Sequence, residues 1–403
     1  MKTRLANSLM AGRHILPFLV LGLGFAANST ESKGPATGPA QPEWRLSAPV
    51  SYENLSLFPI LARNTENTTA YVTLDEAIAA GQAVVAERGA ETLRRSRGEA
   101  TGSLQMQVQS GAEVNRLVLV YRGAKPLVLL AGEVVTGGKQ DRVIAKDRIV
   151  SPGAAPLPLD VFCVERGRWA GPSAQFTAAK LMVHPSVREK AAVNQDQQEV
   201  WAAVRSGSTR AQAYPIEMAQ DRRGASSEAV GNIVGGVPGG VLGGVVGGVI
   251  SGEARSESYA KIYQSRQVSG AVESFAEEIS RRFARAVAGL EGAQVVGVVV
   301  AYGGEIAWAD AFASAALFDR YWTKLLRSYV VEALARPATQ ERPSQEDARE
   351  FLKPLEGHET VESEPGVYRW RQVSQARHSE IRLEALGPKA LTLHWCKVTR
   401  TGK

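Results

Sequence analysis

The stretch from Val114 to Glu165 reads VNRLVLVYRGAKPLVLLAGEVVTGGKQDRVIAKDRIVSPGAAPLPLDVFCVE, and it decides the fold class. Short apolar runs alternate with Gly, Pro, Lys and Asp turn signals, and no gap between them is long enough for a crossover helix. A parallel α/β architecture is therefore disfavoured. Working outward, the same pattern begins at Leu55. AYVTL leads into a brief helix, LDEAIAA, that ends at Gly81, and QAVVAE and SLQMQVQ add further runs before Val114. Runs at this spacing predict a mostly antiparallel β domain, a sandwich or an open barrel.

Past Pro185 the period changes from strand to helix. SVREKAAVNQDQQEVWAAVRS reads as one helix with Val187, Ala191, Val200 and Val204 among its apolar positions. AVESFAEEISRRFARAVAGL places Val272, Phe275, Ile279, Phe283 and Val287 on one stripe. AQVVGVVVAYGG is a fully apolar strand, followed by a long helical run from Asp310 to Ala335 whose buried side carries Phe312, Leu317, Tyr321, Leu325 and Tyr329. Arg336-Pro337 stops it. SQEDAREFL begins another helix with Ser344 as N-cap and Asp347 at its third position. GVYRWRQV and ALTLHWCKV return to strand. The fold class is thus α+β, an antiparallel β-rich N-terminal half packed on a helical C-terminal half.

With 403 residues and 44 % hydrophobic content the chain is long and apolar enough to bury a core, which excludes global disorder. Residues 1–27 read as a signal peptide, with a basic start, an apolar run from Ile15 to Ala27 and the small pair Gly24 and Ala26 at cleavage spacing. Residues 28–47 read as a Pro-rich linker. The formal charge is +6, but without Lys2, Arg4 and Arg13 of the leader 44 basic residues face 41 acidic ones, a net of +3. Nothing there argues for nucleic acid. The expected location is secreted or periplasmic, with association to the cell envelope as the alternative. Cys163 and Cys396 are too few for a disulfide scaffold and read as two buried thiols or as one bridge. The five histidines are scattered and no CxxC occurs, so no metal site and no cofactor is expected.

From Ala229 to Gly252, AVGNIVGGVPGGVLGGVVGGVISG carries no charge and repeats glycine every four residues. Small-xxx-small spacing is what lets membrane helices touch, and it also serves association between chains. Glycine and Pro238 make the helix poor, so a flexible insertion over 229–252 is the reading preferred to oligomerisation or membrane contact.

Two segments are too polar for the strands that carry them. GEVVTGGKQDR holds Glu133, Lys139, Gln140, Asp141 and Arg142, and CVERGRW holds Glu165, Arg168 and Trp169. A carboxylate directly after an apolar strand must be paired, hydrogen-bonded or at a site. Both segments could converge at one rim of the β domain and hold a small polar ligand. The alternative is a buried ion-pair network in which Arg142 and Arg168 neutralise Glu133 and Glu165, with Trp169 over the arginine plane. A phosphate loop fails because Gly138 stands where the pattern needs Lys and no hydroxyl follows. A Ser-His-Asp triad fails because no G-x-S-x-G elbow exists and His184 precedes a proline. Paired-carboxylate glycoside chemistry would use Glu133 and Glu165, as any two glutamates would allow.

Taken together, NLSLFPI, YVTLDEAIAAG, GEVVTGGKQDR, CVERGRW, QQEVWAAV and KLLRSYVVEAL resemble the ARG and rhodanese-phosphatase-superfamily-associated protein family, over roughly Asn54 to Val398. The resemblance implies a single domain over 48–398, β-rich at 48–170, helical at 185–352 and closing in strands at 365–398, with the glycine tract as an insertion. It also implies a bacterial association with ADP-ribosylation and NAD-derivative metabolism, and no particular reaction. The expected function is an exported binding module whose Glu/Arg/Gln rim takes a small polar ligand or a partner. The alternatives are an enzyme acting on an ADP-ribose-like or phosphorylated compound, with Arg142 and Arg168 on the anion and Glu133 or Glu165 as base, and an assembly protein oligomerising through the glycine tract.

Overall fold

In chain order the strands and helices are β1 (Arg45–Leu46), β2 (Val50–Tyr52), β3 (Leu55–Ala62), β4 (Val72–Thr73), α1 (Leu74–Ala79), β5 (Ala83–Glu87), β6 (Arg116–Tyr121), β7 (Leu127–Leu129) and β8 (Glu133–Gly137). There follow β9 (Arg142–Ile144), β10 (Arg148–Val150), β11 (Leu157–Cys163), β12 (Glu165–Arg166), β13 (Gln175–Met182), α2 (Pro185–Glu189), a π-helical turn (Lys190–Asn194) and α3 (197–207). The remainder is β14 (Glu257–Ser258), α4 (Tyr259–Gln264), α5 (Arg266–Val287), β15 (Gln294–Tyr302), β16 (Glu305–Phe312), α6 (Ala315–Ala335), α7 (Gln345–Phe351), β17 (His358–Glu364), β18 (Tyr368–Ser374), β19 (His378–Leu386) and β20 (Ala390–Thr399). The computed structural model describes residues 43–87, 116–166, 173–207, 257–290, 292–337, 339–387 and 390–401, all within one unit spanning Ala36–Lys403. The expected leader, SLQMQVQ, Arg168, Trp169 and the glycine tract lie outside the described residues.

The β-rich N-terminal half contains a closed barrel, β11-β6-β5-β13-β8-β9, with the small sheet β10-β7-β4 beside it. Every barrel pair is antiparallel, as the short connections require. The expectation was a sandwich or an open barrel, and closure removes the edges that an open sheet would leave unpaired. Its interior is Val85, Leu117, Leu119, Val135, Val161 and Phe176, with α1 closing one side through Leu74 and Ala77. Helix α1 starts in a capping box, Thr73 accepting from the Glu76 amide while the Glu76 carboxylate accepts from the Thr73 amide.

The other layer is a long antiparallel sheet ordered β1-β3-β15-β16-β20-β19-β18-β17, so the first strands of the chain pair with strands from its far end. Helices α5 and α6 cover one face, and α7 with Trp44 covers the other. The α5 stripe is buried as its period predicts, with Phe275, Ile279 and Phe283 inward. On α6, Leu317, Tyr321, Leu325 and Tyr329 are fully buried, each contributing about 1.5–3 kcal/mol.

Three segments differ from the sequence expectation. Asp310 and Phe312 belong to β16, not to the following helix, which begins after the Ser314 N-cap. The helix expected over SVREKAAVNQDQQEVWAAVRS is broken after its π turn by Gln195 in the left-handed region, φ 52°. The strand His358–Glu364 lies before the terminal strands expected over 365–398, because its charged positions dilute the alternation. No helix among the described residues is long and apolar enough to cross a membrane.

Candidate functional site

The polar residues singled out in the sequence divide into two groups. Glu133 opens β8 fully buried, accepting from the Leu130 amide at 2.7 Å and from Lys324 Nζ of α6 at 2.5 Å, while Lys324 also reaches Asp75 at 2.7 Å. Burial pushes the Glu133 carboxyl up despite Lys324 beside it. Burial also opposes the Lys324 ammonium, yet its two carboxylates hold it above the ordinary lysine value. The partner expected for Glu133 was Arg142, and α6 supplies Lys324 instead.

Lys139, Gln140, Asp141, Arg142 and Glu165 do come together, at the ends of β9 and β11. The Asp141 amide donates to Glu165 Oε2 at 3.0 Å, and Asp141 Oδ2 accepts from Ser258 at 2.7 Å. Arg142 donates to the Gln140 carbonyl at 2.7 Å and is fully buried, which pushes its guanidinium down against the pull of Cys163, Glu87, Asp141 and Glu165. The Lys139 amide donates to Glu87 at 2.6 Å, and Lys261 stands 3.6 Å from Glu165. Most of the cluster's polar groups are bonded, within it or to Glu87, Ser258 and Lys261, while Gln140 Nε2 is buried without a hydrogen-bond partner among the described residues; strand β12 beside it pairs with β14. Cys163 and Cys396 are buried free thiols in the barrel and in β20, so the bridge alternative is not formed.

A second buried network joins the two layers. Arg188 Nη1 lies 2.9 Å from both oxygens of Asp310, His394 Nε2 lies 3.0 Å from Asp310 Oδ1, and His394 Nδ1 lies 2.5 Å from Asp147 Oδ2. Tyr329 donates to Asp310 Oδ2 at 2.5 Å. Burial opposes charge on both acid and base. Arg188 with His394 nonetheless holds Asp310 far below the usual carboxylate range, and Asp147 with Asp310 raises His394. Gly132 (φ +100°) makes room for this, since a Cβ there would meet Arg188 Cδ at 2.9 Å. Asp310, His394 and Cys396 present ligand atoms within 4.8 Å of one another, but the carboxylate already serves three donors and a guanidinium occupies the neighbourhood a divalent ion would need.

The arrangement with an opening lies at the N-terminus of α2. His184 caps that helix with extended backbone, and Pro185 at the first helical position pre-sets the turn. Its Nδ1 lies 2.6 Å from Glu332 Oε2 of α6. Glu332 accepts in addition from the Ser186 amide at 3.1 Å, Ser186 Oγ at 2.6 Å and Arg336 Nε at 2.8 Å. Burial opposes ionisation of Glu332, but His184, Arg336 and Ser186 hold it well below the usual carboxylate range. An acceptor-only carboxylate places the imidazole proton on Nδ1. Nε2 is left without a hydrogen-bond partner among the described residues, on a side chain 1 % exposed.

His184 and Glu332 form part of the wall of a cavity of about 570 Å³, together with Ser186, Lys190, Glu199, Glu305 and Arg336. Gly207 closes over the ring, and a Cβ there would fall 2.4 Å from Nε2. Tyr259 lies tilted beside the imidazole at 5.8 Å and Tyr263 meets it edge-on at 6.2 Å, and Tyr259 Oη accepts from the His184 amide at 2.9 Å. Carboxylates outnumber cations on the wall. Lys190 lies near Glu189 and Glu199, and Arg336 pairs with Glu332 and Glu305.

Sequence reading passed over both residues that build this site. His184 was weighed only as a triad member. Glu332 falls on the same stripe of α6 as Tyr321, Leu325 and Ser328, all buried, and a carboxylate on a buried stripe is a readable signal.

A family model, the ARG and Rhodanese-Phosphatase-superfamily-associated Protein domain, matches residues 43–396. No curated protein and no solved structure matches the chain.

Proposed function

The chain belongs to the ARG and Rhodanese-Phosphatase-superfamily-associated Protein domain family, and from that premise we propose that it is an exported binding module holding a small polar ligand in the His184–Glu332 cavity. The observation that carries the reading is His184 Nε2, buried, oriented through Nδ1 by a carboxylate and lacking a partner among the described residues. A buried polar atom left unmade costs about 1–3 kcal/mol, which a ligand group in that cavity would recover. The cavity replaces the rim as the proposed place because Asp141, Arg142 and Glu165 are bonded within their own cluster, the Lys139 amide is taken by Glu87, and only the His184 nitrogen borders an open cavity, although Gln140 Nε2 also lacks a partner among the described residues. The acid-rich wall favours a ligand offering hydroxyl or amine donors. Export rests on the leader sequence alone.

One observation favours the enzymatic alternative. A carboxylate fixing the imidazole through Nδ1 is how a general base is oriented, so a ligand hydroxyl at Nε2 would be placed for proton abstraction.

The test is thermal unfolding of the mature domain against sugars, small amines, nucleotides, NAD and ADP-ribose. A ligand at a hundred times its Kd stabilises by about 2.7 kcal/mol. The shift should disappear in His184→Gln. A shift that survives that substitution, or none across the series, refutes the site.

A further inference from the structure

A second cavity, of about 610 Å³, lies between α7 and the ends of β16, β19 and β20, and its walls carry Lys397, Arg377, His378 and Lys353. Acids and bases both line it, and what distinguishes it is that Lys397, Arg377 and His378 keep donors that no described side chain takes up. Lys397 is 5 % exposed, and its Nζ makes one hydrogen bond, to the Lys353 carbonyl at 2.8 Å, while lying over the Phe351 ring at 5.4 Å. An ammonium has three donors to place. Its cross-strand neighbour Glu380 does not pair with it, because one Glu380 oxygen takes Arg382 Nε at 2.6 Å and the other takes the Leu355 amide at 3.1 Å. The Arg377 guanidinium is exposed and makes no hydrogen bond or ion pair among the described residues. His378 meets Phe351 edge-on at 5.6 Å, and its ring nitrogens make no hydrogen bond there either.

The acids of the same cavity have partners of their own, and Glu350 with Lys353 forms a pair inside it. Asp347 caps α7, accepting from the Ser344 amide and hydroxyl at 2.8 and 2.7 Å. Glu350 pairs with Lys353, and Glu305 pairs with Arg336 at 3.0 Å. The consequence is visible in the bases. Burial pushes the Lys397 ammonium down although Glu380 and Glu350 pull it up, and burial, Lys397 and Arg377 together push His378 down.

We propose that this cavity binds a phosphate group, with Lys397 as the buried donor and Arg377 and His378 closing on the oxygens from the opening. Charge-assisted donors brought to one cavity from the β18–β19 turn, β19 and β20 can approach an anion from several sides, which suits a tetrahedral dianion better than a planar carboxylate. The two cavities share Glu305 in their walls, but Lys397, Arg377 and His378 do not line the His184 cavity, and the proposal stands or falls without it.

The experiment is calorimetric titration of the mature protein with inorganic phosphate, and with citrate as the carboxylate control, at low ionic strength. Phosphate should bind at least tenfold more tightly than citrate. Arg377→Ala and Lys397→Met should each weaken phosphate at least tenfold, while His184→Gln leaves it unchanged. Arg377 is exposed, so Arg377→Ala decides the matter if Lys397→Met does not fold. No heat with phosphate, tighter binding of citrate, or phosphate affinity unaltered in Arg377→Ala would each overturn the proposal.

Discussion

One nitrogen of the Arg188 guanidinium stands 2.9 Å from each carboxylate oxygen of Asp310, where neither side chain reaches solvent. Arg188 comes from α2, Asp310 from β16, and Asp147, from the loop after β9, joins them through His394. The barrel is thereby tied to the long sheet by charge as well as by apolar packing. Removing one member leaves the others buried and uncompensated. Asp310→Asn should therefore lower unfolding free energy by about 3–5 kcal/mol, read from urea midpoints. A loss under 1 kcal/mol would show that the pairing contributes little.

The same network sets a pH dependence. His394 is raised above its unfolded value of about 6.5 by Asp147 and Asp310 against the opposing effect of burial. Its stabilisation is complete below that unfolded value and is lost as pH rises through the higher folded one. Urea midpoints should fall between about pH 6.5 and the raised folded value, and His394→Gln should flatten that limb. A wild-type midpoint that rises over the interval contradicts the assignment.

Glu133 and Lys324 form the other long-range pair, at 2.5 Å. Glu133→Gln and Lys324→Met should each destabilise by about 3–5 kcal/mol, while the double variant should lose less than the sum by about 0.5–3 kcal/mol. Additive losses in a double-mutant cycle would mean that the two residues act independently.

Gly207 makes a prediction of unusual sign. Gly→Ala within a helix ordinarily stabilises by about 1 kcal/mol. Here the added Cβ would stand 2.4 Å from His184 Nε2, so Gly207→Ala should lower Tm and abolish the ligand-induced shift. A raised Tm with ligand response intact would count against the packing described for His184.

Burial raises both thiols, Cys396 most of all. In the native protein Cys163 and Cys396 should resist a thiol reagent, and two equivalents should titrate after denaturation. Rapid labelling of either in the folded state would show that its cover opens.

The α+β class, the antiparallel barrel strands, the α5 stripe and the Ser344 cap were all legible in the sequence, because each depends on residues that are neighbours along the chain. Periodicity, turn residues and capping signals are local, and they place Phe275, Ile279 and Phe283 inward without knowledge of what they meet. The sequence also marked Glu133 and Glu165 as needing partners, since an ionised group beside an apolar run cannot stay unpaired. It could not say which partners. Glu133 took Lys324, 191 positions away, and Glu332 took His184, 148 positions away. Those choices follow from how α6 lies across both layers. A helix presents its polar side chains to whatever the tertiary packing sets opposite them, and only the fold decides which acid finds a base and which buried nitrogen finds no partner among the described residues.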